Sequence, residues 1–177
     1  MIIRCTAKLL KEMGLGKANL ANNASEELTL GEWYAHIFFL ARRKCILFTH
    51  AKTYYAFVAY DVKREDIRQL DKLFRANLGR RLYEDGFSAE AIKKALAITD
   101  RVIYGHTADR HVLGVMNQMI YEFSFCLYPN GIVTPEALKK SADFLPRSLH
   151  TKGRSYIVPL EEMWPLLEEK KCLAKNI

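Results

Sequence analysis

The run Arg42-Arg43-Lys44, with Lys52 close behind, is the one place in this 177-residue chain where three cations stand in succession. Tyr34, Phe38, Tyr54 and Tyr55 lie near it in sequence. Cations that grip phosphates beside rings that stack on bases are what binding of RNA or single-stranded DNA requires. The same residues admit a plainer reading. Rings inside strands are usually core, and Arg or Lys at a strand turn is usually solvated and guards against edge pairing.

A second group is Thr107-Ala108-Asp109-Arg110-His111, at the expected start of a helix. Free backbone N–H groups and the helix dipole favour an anion there. Arg110 adds a guanidinium that can grip phosphate or carboxylate in bidentate fashion, and Asn117 follows on the same helix. On the structural reading Thr107 or Asp109 is simply the cap, Arg110 makes a salt bridge, Gly114 is a helix-packing contact and Asn117 satisfies a backbone group. His106 with Arg110 would make a general base and an oxyanion partner for phosphodiester cleavage, with His111 or Glu32 as further acid–base candidates. The plainer reading, a chance polar cluster and, for Glu32, a surface charge, outweighs it. The histidines 36, 50, 106, 111 and 150 never fall at helical metal-ligand spacing, and no Gly-rich phosphate loop or nucleophile elbow is present. No metal or cofactor is implied.

The elements that must position these groups follow from periodicity. Residues 2–6 read as a short strand, and Thr6 opens a helix that Gly14 closes. Residues 17–29 are polar, without periodicity, and read as a mobile loop. From Trp33 the period is two with apolar residues on both faces, which predicts a central strand covered on both sides. A break at 41–44 and a second strand at 45–49 read as a hairpin of uncertain turn type, and a third strand follows over 54–60. Ile67, Leu70, Phe74, Leu78 and Leu82 predict one amphipathic helix of about five turns. Ser88 caps a second helix, 101–104 reads as a short strand, and Asp109 opens a long helix with an apolar stripe from Val112 to Leu127. Pro129-Asn130-Gly131 breaks it. Thr134-Pro135 starts another helix, and the tail from about 146 reads as irregular, with a last strand near 156–158.

Strands and helices do not alternate regularly. The expected architecture is therefore α+β: one domain over 1–177, with an antiparallel or mixed sheet (an N-terminal strand plus a three-strand meander) packed against several helices. Half the residues are hydrophobic, which excludes general disorder, and no apolar run approaches the roughly 20 residues of a membrane span. The start has no secretory h-region, and the four cysteines never form C-x-x-C, so a reduced, cytoplasmic protein is expected. The net charge of +7 is uneven: residues 1–60 carry +4 of it, whereas 101–130 are neutral. Such a balance bears on acidic partners and on solubility, not on fold.

Three segments carry a family likeness: residues 2–12, beginning Ile2-Ile3-Arg4-Cys5-Thr6; Leu30-Gly31-Glu32-Trp33-Tyr34-Ala35 running on to Arg42-Arg43-Lys44-Cys45; and Arg110-His111-Val112-Leu113-Gly114-Val115-Met116-Asn117. Together they resemble a small bacterial family classed only as a domain of unknown function, over most of residues 1–125. His36 and His111 stand where that family typically has Asn and Ser. The resemblance implies no activity, substrate or cofactor. The residues leave three readings: an anion- or nucleic-acid-binding module using Arg42, Arg43, Lys44 and the helix start at Arg110; a small hydrolase or transferase acting on a phosphate-containing substrate; and a protein partner in a toxin–antitoxin-like pair.

Overall fold

β2 (Glu32–Leu40) is apolar on both faces because it is covered on both. A computed structural model describes residues 1–16, 20, 30–99, 101–127 and 133–168. The expected loop over 17–29 (residue 20 apart) and the break at 129–131 lie outside the described residues, as do Cys172 and the side chain of Cys126. β2 pairs antiparallel with β3 (Arg43–His50), and β3 with β4 (Ala56–Ala59), which is the expected meander. β1 (Ile2–Cys5) lies parallel to β2 on its other side. β5 (Ile103–His106) adds itself parallel to β1, so the mixed sheet runs β4-β3-β2-β1-β5.

Alternation along the strands sorts side chains into two cores. Cys5, Trp33, Ile37, Phe48 and Phe57 face one side, where they meet α1 (Ala7–Met13), α2 (Arg64–Arg68), α3 (Leu70–Glu84), α4 (Ala89–Ile98) and α7 (Pro159–Leu167). Tyr34, Phe38, Cys45, Leu47 and Val58 face the other, where they meet α5 (Arg110–Leu127) and α6 (Pro135–Phe144). Cys5 and Cys45 are free and buried, and burial pushes their thiols up to about 12 and about 11, which suits small apolar core residues.

Most starts and stops follow local chemistry. Gly14 takes φ 73 at the end of α1, Ser88 Oγ accepts from the Ala91 N–H, and Thr134 Oγ1 accepts from the Ala137 N–H. Three expectations need correction. The single helix expected over 67–82 is two, broken at Gln69 (φ −114, ψ 48). The strand expected at 101–104 sits two residues later. The tail is not irregular as far as residue 167: β6 (His150–Lys152), β7 (Ser155–Ile157) and α7 occupy it, with Pro159 in the first turn of α7.

Gly31 shows a close approach. It has φ +64, and a Cβ there would stand 3.2 Å from His50 Nε2. That nitrogen lies 2.7 Å from the Leu30 carbonyl oxygen. The Thr53 main-chain N–H donates to His50 Nδ1, which makes Nδ1 the acceptor and leaves the ring proton on Nε2, donated to Leu30. The imidazole thus pins the entry of β2 to the end of β3.

Candidate functional site

The register of β1 against β2 ends at Cys5↔Ala35, and β2 runs on for five more residues, to Leu40. That overhang and the turn at its tip carry the basic run. Leu40 faces Arg43, so the turn has two central residues, and both are left-handed: Ala41 at φ 46 and Arg42 at φ 63. This is the handedness of the favoured two-residue hairpin turns, here without the usual Asn or Gly. It projects Arg42 outward, exposed and without a hydrogen-bond or ion-pair partner among the described residues.

The next two cations are engaged. Arg43 Nη1 donates to Asp61 Oδ2 at 2.9 Å, and Lys63 donates to the other oxygen of the same carboxylate at 2.9 Å. Lys63 and then Arg43 hold Asp61 below the usual carboxylate range. Lys44 Nζ donates to Glu12 Oε2 at 2.7 Å and depresses that carboxyl in the same way. Beside this pair Lys8, Lys11, Glu12, Lys44 and Arg64 line one hollow, four cations to one carboxylate already spoken for.

The rings expected beside the cations are not available. Tyr34, Phe38, Tyr54 and Tyr55 are all buried in the two cores. Three others take that place. Phe39 is 50% exposed, Tyr121 69% and Phe125 72%. Phe39, Tyr121 and Phe125 line a second hollow with Leu40 and Ala41, and the rings of Tyr121 and Phe125 stack with centroids 6.2 Å apart. Lys8 Nζ stands 4.7 Å from the centre of the Phe39 ring, so a cation–π contact joins the basic hollow to the aromatic one. A signal for these residues exists in the sequence. Arg110, Gly114, Asn117, Tyr121 and Phe125 recur at the helical period on the side of α5 opposite its core stripe, and all five are exposed.

At the helix start Asp109 is the cap: its Oδ1 accepts the His111 N–H at 2.7 Å and its backbone N–H donates to the Tyr34 hydroxyl. Arg110, His111 and Asn117 are exposed, and no hydrogen bond or ion pair holds their side chains among the described residues. Gly114 is not a packing contact, because a Cβ there would meet nothing within 4 Å. His106 is exposed and shares its sheet face with Cys5, whereas α5 lies against the opposite face. The structure therefore does not bring His106 and Arg110 together. Glu32 is taken up by Arg4, which grips it with Nε at 2.7 Å and Nη2 at 2.6 Å and donates Nη1 to the His106 carbonyl. That bidentate bond to Glu32 raises the Arg4 pKa. The first two familiar segments meet through Arg4–Glu32, and the third joins the second through the core that Val112, Val115 and Met116 share with Tyr34.

Among the described residues no helix is long and apolar enough to cross a membrane. The chain belongs to a family described as a domain of unknown function, DUF6933, whose model matches residues 2–162. No curated protein and no solved structure matches it.

Proposed function

We propose that this chain is a polyanion-binding module, and that its ligand is RNA or single-stranded DNA held at the overhanging end of β2. The observation that carries this reading is the Lys8–Phe39 contact, which makes one continuous surface of a hollow rich in cations and a hollow rich in exposed rings. Phosphates would lie along Lys8, Lys11, Lys44 and Arg64, and bases would stack on Phe39, Tyr121 and Phe125 around the edge of the sheet. Arg42, unpaired at the tip among the described residues, adds one more cation; Arg43 and Lys44 contribute less, since Asp61 and Glu12 already hold them. Stacking at each ring is worth about 1–3 kcal/mol by alanine substitution. The hydrolase or transferase reading has no such support, because His106, Arg110 and His111 are all exposed rather than set in a dry cleft.

The test is anisotropy of a fluorescein-labelled mixed-sequence 12-nucleotide RNA, titrated with the protein at several salt concentrations. Log affinity should fall linearly with log salt, with a slope of about −0.7 for each phosphate neutralised. The Lys8→Ala/Lys11→Ala and Arg42→Ala/Arg43→Ala variants should each bind more weakly with a shallower slope. Phe39→Ala should weaken binding without changing the slope. An affinity for the native chain no better than that of the Arg42→Ala/Arg43→Ala variant removes the proposal.

A further inference from the structure

Three positions on the outer face of α5 have no structural task among the described residues. Arg110 and Asn117 are exposed, and no hydrogen bond or ion pair holds their side chains. Gly114, between them, has neither a packing neighbour nor a left-handed backbone. Glycine weakens the interior of a helix, so close packing or a positive φ is its ordinary reason for being there. At Gly114 a Cβ would point into open space. A bare stretch of helix with no packing reason suits close approach by something outside the chain.

The course of the helix connects these positions to the exposed rings. α5 runs alongside β2: the Asp109 N–H donates to the Tyr34 hydroxyl at one end, and toward the other the Phe123 ring meets Phe38 edge-on, with centroids 6.2 Å apart. Val112, Val115, Met116, Met119 and Phe123 are buried against the sheet, so Arg110, Gly114, Asn117, Tyr121 and Phe125 form one outward row. At a rise of about 1.5 Å per residue the row is about 22 Å long. Gln118 and Glu122, bonded to each other at 2.8 Å, border it on one side. Its far end is the hollow that Tyr121 and Phe125 share with Phe39. Beyond those rings the row offers, in order, an amide, bare backbone and a guanidinium.

We propose that a single-stranded nucleic acid continues past Tyr121 along this face of α5, with Asn117 bonding the edge of an adenine, Gly114 letting the strand lie against the helix and Arg110 holding a phosphate. This rests on the polyanion-binding reading above and adds to it a means of selecting a base. A carboxamide sets an acceptor and a donor side by side, which matches N6 and N7 of adenine. Asn117 stands one turn from Tyr121, within reach of the base next to the one stacked there. Contacts to phosphate carry no sequence information and contacts to base edges do, so Arg110 and Asn117 have separable signatures.

The experiment uses the full chain and fluorescein-labelled 12-nucleotide RNAs of mixed sequence, all adenine, all cytosine and all uracil, read by anisotropy. The native chain should favour the adenine oligomer over the uracil one by about tenfold. Asn117→Ala should abolish that preference and leave the salt slope unchanged. Arg110→Ala should weaken all four RNAs alike and make the slope shallower by about 0.7, the share of one phosphate. Gly114→Leu should weaken all four severalfold while its thermal midpoint stays level or rises, the reverse of what a glycine kept for packing would show. If Phe39→Ala weakens binding but Arg110→Ala and Gly114→Leu bind as the native chain does, the track along α5 is overturned and the surface at β2 stands. A native chain without preference for adenine, or a preference that survives Asn117→Ala, overturns the role given to Asn117. A native chain that binds none of the RNAs removes this inference together with the reading on which it rests.

Discussion

His50 is neutral because burial penalises the charged ring. Burial drives its pKa down to about 4, against a small opposing contribution from the Leu30 carbonyl. Its Nδ1 already accepts, so protonation would break the bond from the Thr53 main-chain N–H. The unfolded chain takes up a proton near pH 6.5 and the folded chain does not until about pH 4. Stability is therefore complete above pH 6.5 and falls as pH drops through that window, by about 3 kcal/mol. His36 and His150, both lowered by burial, act in the same direction. Urea midpoints measured from pH 7.5 to 4.5 should show this fall, and a His50→Gln variant should flatten it. Asp85 is the other residue on which much depends. Its carboxylate accepts from Tyr55 at 2.6 Å, is gripped at both oxygens by Arg81, and also pairs with Arg147 at 2.8 Å. Asp85→Ala leaves the buried Tyr55 hydroxyl unmatched and takes from Arg81 its one fully buried carboxylate, leaving it Glu84 and Asp143, and should cost about 3–5 kcal/mol in urea unfolding. Arg43→Ala, at an exposed pair, should cost under about 1 kcal/mol in the same measurement. Neither contrast is visible in the order of residues. His50 and His106 are alike in sequence, and they differ because Leu30 and Thr53 close over one and solvent meets the other.

At the scale of elements, the β2–β3 turn holds two non-glycine residues in a left-handed conformation. Each such residue costs roughly 1–2 kcal/mol relative to its ordinary basins. Replacing the turn with Asn-Gly (Ala41→Asn/Arg42→Gly) should raise the thermal midpoint, with a gain of about 1 kcal/mol. If the proposed surface is correct, the same variant binds RNA more weakly, so stability and affinity move in opposite directions. The helices were the most legible elements, since Ser88, Thr134 and Gly14 mark their ends by local chemistry. The break at Gln69 was not legible, because Ile67, Leu70 and Phe74 keep the same buried face on either side of it; periodicity reports which side faces the core, not whether the backbone is continuous. The exposed rings were half legible. Their spacing on α5 sets them off its stripe, but only the fold brings residues 121 and 125 beside residue 39.

For the molecule as a whole, the sheet is the divider. It keeps one core beneath five helices apart from another beneath two, and the segments with a family likeness contribute to both. Composition and strand patterning were enough to place the chain in the α+β class and to expect a strand near 101–104, but not to set that strand beside β1, since the pairing depends on residues a hundred positions away. β1 lies between β2 and β5, with Ile2 opposite Glu32 on one side and Ile103 on the other. Neither neighbour is local, and the second pairing closes a loop that spans more than half the chain. Closing such a loop carries an entropic cost that contacts within a hairpin do not, and topologies of this kind fold slowly. The β2–β3 hairpin can therefore form early, on its own, before β1 closes its side. In refolding experiments, exchange protection should appear at Leu47 before it appears at Arg4, whose N–H turns toward β2 as that of Thr6 does. The interval between the two measures how long the edge of β2 stays open to the wrong strand.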